Sequence, residues 1–209
     1  MKFSKEFKEA IINLPDSEKD KLLLRLLKKD LDLVNKLEFE LLGEESVDEK
    51  RLELKQRIQE KAKKIAKNFY SLGYLTMDLR YLSGEITEHV KITKDKFGEA
   101  SLNLLMLNEF LKNNSEFIIK STIGKSYKLC IYIIARTFKI LILIKKLHED
   151  YFVDFEIPLK KLGAQISRVP FLMETAINNG LDVNWLLKAE IPDTIIKLHK
   201  EIRDQGFLK

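Results

Sequence analysis

The chain has a single cysteine, Cys130, set in the apolar run 129–135. No internal disulfide can form, and a reducing compartment, by default the cytoplasm, is expected. Proline occurs four times and glycine eight times in 209 residues, too rarely for a turn-rich β architecture. Each proline follows an aliphatic residue (Leu14-Pro15, Ile157-Pro158, Val169-Pro170, Ile191-Pro192) and stands before a stretch with helical character. Proline has no amide hydrogen and a fixed φ, so all four are read as helix starters. A long uninterrupted apolar run is also missing. Arg136 and Lys139 break residues 129–147 near the middle, and Lys2, Lys5, Glu6, Lys8 and Glu9 break up the N-terminus. Neither a membrane span nor a secretory signal is expected.

Hydrophobic residues make up 45% of the chain, enough to close a core, and charged residues 33%, a balance that favours long helices. The net charge of +5 permits an acidic partner without requiring one. A short helix is expected over 4–13. A leucine-rich segment follows Pro15. One continuous helix over 21–42 would bury Asp30 and Glu38, so a break is expected at Asp30, which caps a new helix. Gly43 ends this region, and Ser46 with Glu49 forms a capping-box signature for a long helix carrying Leu54, Ile58, Ala62, Ile65, Phe69 and Leu72. Gly73, Gly84, Gly98 and Asn113-Asn114 are read as breaks between helices over 75–82, 85–93 and 99–112. Residues 115–150 are apolar around most of their circumference and read as one central helix. Isoleucine-rich 131–134 and 140–144 offer a competing strand reading, but no turn signal separates them. Four short helices are expected over 158–167, 170–179, 183–189 and 192–204, with Asn179-Gly180 as a C-terminal stop. The fold class is all-α, an irregular helical bundle or a short α-solenoid of HEAT or armadillo type. It is expected as a single domain over 1–209, with a possible subdivision at 114/115.

The strongest functional signal is a basic stripe. At a hundred degrees per residue, Lys125, Lys128, Tyr132, Arg136, Lys139 and Lys146 fall within about a quarter of a helix circumference. No acidic residue occurs between Phe117 and His148. Such a face suits an acidic protein surface or phosphates, with Tyr132 as a stacking group. The plainer reading is the one face of that helix that meets water. Lys61, Lys63, Lys64 and Lys67 form a second basic group, read as a solvated face near a helix C-terminus.

Motifs for chemistry are sparse. Gly124-Lys125-Ser126 imitates the end of a phosphate-binding loop, but Ile119 stands where the first glycine belongs. Glu85 and His89 share a helix face and, with Glu88, are the metal-ligand candidates in a chain with only three histidines, the others being His148 and His199. The Glu85/Glu88 pair is similar to the first half of the magnesium motif of all-α nucleoside triphosphate pyrophosphohydrolases. The Glu-x-x-Asp half does not follow it. Cys130 is read as a buried, inert thiol, and Trp185 as a packing residue or a partner anchor.

These observations favour a non-enzymatic helical scaffold or adaptor that binds another protein through the basic stripe, without a cofactor. Nucleic-acid binding through the same stripe is the first alternative, and metal-dependent hydrolysis of nucleotides through Glu85, Glu88 and His89 is the second.

Overall fold

The computed structural model describes residues 3–208 and is all-α, with eleven α-helices, one short 3-10 helix and no strand among the described residues. Two compact units are present: the chain up to Glu45 with Lys91–Thr93, and Ser46–Val90 with Lys94 onward. Residue 114 lies within a helix of the second unit.

The first unit holds α1 (Lys5–Ile12), α2 (Asp16–Leu27) and α3 (Leu31–Leu42). The break expected at Asp30 is present, and its Oδ1 accepts from the Leu33 amide at 3.0 Å. Ser4 caps α1 in the same way, accepting from the Phe7 amide at 3.2 Å. Pro15 sits at the N-cap of α2. None of the three helices has a buried residue.

The second unit begins with α4 (Val47–Lys67), whose capping box is complete. Ser46 Oγ accepts from the Glu49 amide at 3.2 Å, and a Glu49 carboxylate oxygen accepts from the Ser46 amide at 2.7 Å. Leu54, Ile58 and Ala62 are the buried residues of α4, and Phe69 falls beyond its end. Then come α5 (Leu72–Thr93), α6 (Lys96–Ile119) and α7 (Ile123–Lys145). Gly84 breaks nothing: α5 runs through it, and a Cβ there would meet no atom within 4 Å. A glycine inside a packed helix costs only about 1 kcal/mol, which the buried face of α5 outweighs. Residues 115–150 are not one helix. Their first turns finish α6, a bend at 120–122 intervenes, and α7 carries the isoleucines in helical form.

The helix α6 is the hub, packing against α4, α7, α8 (Phe152–Ser167) and α9 (Pro170–Asn178). The helix α7 meets α9 and α11 (Ile195–Asp204), and α8 meets α10 (Asn184–Lys188). Contacts such as α6 to α9 and α7 to α11 skip along the chain. This is the pattern of an irregular bundle, since a solenoid repeat touches only its neighbours. Phe110, Phe138 and Phe155 are among the largest fully buried side chains. Gly163 lets α8 and α10 approach closely, because a Cβ there would lie 2.9 Å from Leu186 Cβ and 3.0 Å from the Leu187 amide nitrogen.

Pro170 starts α9 as expected. Pro158 does not start a helix; it lies inside α8, which begins six residues earlier at Phe152. Gly180 follows α9 with φ +74°. Lys94, the C-cap of α5, and Ala189, the C-cap of α10, are both left-handed, with φ of 59° and 57°.

Candidate functional site

The basic stripe divides into two kinds of residue. Lys125, Lys128 and Lys146 are exposed, while Tyr132, Arg136 and Lys139 are half-buried. One Arg136 nitrogen donates to the Tyr132 hydroxyl at 2.8 Å and another to Asn103 Oδ1 at 3.4 Å. The Arg80 guanidinium also lies over the Tyr132 ring. Lys139 pairs with Glu99 at 2.8 Å. The middle of the stripe is therefore engaged by Glu99 and Asn103 of α6. No acid within residues 117–148 could have signalled this, because the acid comes from another helix.

The metal-ligand candidates turn toward other partners. Glu85 pairs with Lys61 and has Arg57 at 4.0 Å. His89 Nε2 lies 3.1 Å from Asp95 Oδ2. Glu88 is half-buried on the same helix. No group of three His, Cys, Asp or Glu side chains is placed to share an ion among the described residues.

No motif in the sequence marks Asp95, a buried carboxylate with several partners within the second unit. Its carboxylate accepts from Arg51 Nε at 2.5 Å, a second Arg51 nitrogen at 2.8 Å and the Gly98 amide at 2.7 Å, besides facing His89. Burial alone would raise its pKa, but the hydrogen bonds from His89, Arg51 and Gly98 and the Arg51 charge outweigh it. The carboxyl is held well below the ordinary carboxylate range. Arg51 also pairs with Asp48 at 2.8 Å and lies over the Phe97 ring. This node joins α4, α5 and the start of α6. All its charges are matched, the pattern of a structural pin.

Beside the node, a groove of about 790 Å³ is lined from α4 by Arg51, Leu52 and Lys55, from α6 by Leu102, Leu105 and Asn108, and from α8 by Asp154, Phe155 and Pro158. A second cavity, of about 580 Å³, lies between α4 and α5 and is lined by Lys61, Lys64, Asn68, Asp78, Tyr81 and Glu85. Asp78 is half-buried there, and burial raises its carboxyl pKa above the ordinary value. Cys130 is fully buried. Burial pushes its thiol up to about 11, so it remains protonated at neutral pH and is a poor nucleophile. Trp185 is half-buried and packs against the core.

The fold defines an all-α helical protein, and no helix among the described residues is long and apolar enough to cross a membrane. No protein-family model, curated protein or solved structure matches the chain.

Proposed function

We propose that the chain is a non-enzymatic helical adaptor that binds another protein, with α1–α3 as its docking element. The observation that carries this reading is that these three helices bury none of their own side chains. Phe7, Ile12, Leu24, Leu31, Leu41 and Leu42 are all exposed, Leu41 and Leu42 at 76% and 77%. A run of exposed large apolar residues of this kind suits an interaction site, because water contact at about 25 cal/mol per Å² disfavours leaving them open. Residues 1–45 carry nine Lys and Arg against eleven Asp and Glu. That balance suits a protein partner with an apolar face better than it suits phosphates. On α7, Lys125, Lys128 and Lys146 remain available for a polar contact, while Arg136 and Lys139 are engaged within the chain.

The test places a photoreactive phenylalanine analogue at Leu24 or Leu41, with exposed Gln56 of α4 as the control site, and irradiates living cells. A discrete protein adduct from the first two sites and not from Gln56 is expected, resistant to nuclease. Adducts removed by nuclease, adducts confined to one chain, or no adduct above the control would each overturn the reading.

A further inference from the structure

One wall of the groove between α4, α6 and α8 carries a buried acceptor without a donor. Asn108 is 3% exposed; its amide nitrogen donates to the Pro158 carbonyl at 3.0 Å, and its Oδ1 has no hydrogen-bond partner. A buried acceptor left unmatched is costly, so this atom calls for a donor. Pro158 contributes to the same wall by what it lacks. It offers no amide hydrogen to the carbonyl of Asp154, its partner position one helical turn earlier. Asp154 is exposed, and no hydrogen bond or ion pair engages its carboxylate among the described residues. Positions 154 and 158 are four apart, so both lie on the helix face that lines the groove.

The cations around the groove do not neutralise this wall. Arg51 is engaged by Asp95 and Asp48, and Lys161 by Glu109 at 3.4 Å. Among the described residues Lys55 has no ion-pair partner, and it lies across the groove on α4. The rest of the lining is apolar, with Phe97, Leu105 and Phe155 among its members, and the volume falls within the roughly 300–1,000 Å³ of small-molecule sites.

We infer that this groove binds a small organic cation: an ammonium carried on an apolar, preferably aromatic, body. The ammonium donates to Asn108 Oδ1 and the Asp154 carboxylate, and the body lies along the Phe97–Leu105–Phe155 side. A neutral alcohol of the same shape satisfies Asn108 and forgoes the charge interaction. A carboxylate of that shape meets Asp154 with like charge. This inference is independent of the docking role given to α1–α3.

The experiment titrates the full-length protein with 4-phenylbutylammonium, 4-phenylbutanol and 4-phenylbutanoate, following backbone amide shifts of α6 and α8 by NMR. The ammonium is expected to bind saturably, roughly tenfold more tightly than the alcohol, and the carboxylate more weakly than either. Asp154→Asn should bring the ammonium down to the alcohol's affinity. Asp204→Asn, the same charge change on an exposed residue of α11, should leave the order intact. Equal binding of all three probes would reduce the site to an apolar groove in which water serves Asn108, and would overturn the inference. So would tighter binding of the carboxylate, an Asp154→Asn variant that still prefers the ammonium, or no saturation by about 10 mM.

Discussion

Asp95 is negative, 3% exposed at its side chain, and contacted by donors from α4, α5 and the first turn of α6. Removing its charge leaves Arg51 without its main partner, so Asp95→Asn should lower stability at pH 7 by about 2–4 kcal/mol in urea denaturation. The pH dependence follows from the direction of the shift. The folded-state carboxyl lies below its ordinary value of 3.8, so its contribution is fully present above about pH 5 and lost as pH falls through 4 and lower. The wild type should therefore lose stability on acidification more steeply than the variant, and the gap between their urea midpoints should narrow from pH 5 to pH 3. Gly98 belongs to the same pin. A Cβ there would fall 1.9 Å from Asp95 Oδ2, whereas at Gly84 it would meet open space. Both glycines lie inside helices, where alanine ordinarily gains up to about 1 kcal/mol. Gly84→Ala should raise the thermal midpoint by about 2 °C, and Gly98→Ala should lower it by about 4 °C or more. A fall at both positions would mean that the space around residue 84 is not open.

At the scale of elements, the helix starts were the most legible. Ser46 with Glu49, Asp30 and Gly43 sit at their expected caps because capping is decided within four residues. What could not be read was decided by distant packing. Gly84 is tolerated because the buried face of α5 continues past it. The bend at 120–122 separates two helices whose apolar residues form one unbroken run in sequence. Pro158 was expected to open a helix, but Phe152 and Phe155 lie one or two turns before it on surfaces that pack against the core. Burying them holds α8 helical through a residue that normally interrupts the backbone ladder, at a cost of about 3 kcal/mol. The candidate sites were less legible for the same reason. Lys139 and Arg136 carry a basic signal in sequence, but their partners, Glu99 and Asn103, sit more than thirty positions earlier on another helix. The Asp95 node draws on residues 51, 89, 95 and 98, with no spacing a motif search would register.

At the scale of the whole chain, composition was a sound guide to fold class and a poor one to distribution. The net charge of +5 conceals a slight acidic excess in residues 1–45, with the basic surplus carried by the remainder. The polarity of α1–α3 thus separates the two binding hypotheses, which share a single prediction when only the total is counted. The basic stripe lies on α7, while the large exposed apolar residues of α1–α3 carry the proposed partner surface.

Lys94 and Ala189 end their helices in the left-handed region without being glycine. Each position costs about 1 kcal/mol relative to a residue free of a Cβ, partly offset by the greater freedom glycine brings to the unfolded chain. Lys94→Gly should therefore gain a few tenths to about 1 kcal/mol in urea denaturation, and a loss would show that the Lys94 side chain matters more than its backbone. The molecule is in this sense under-optimised. Its sequence leaves thermodynamic slack at two helix ends, and a thermostable version is reachable through changes that touch neither the groove nor α1–α3.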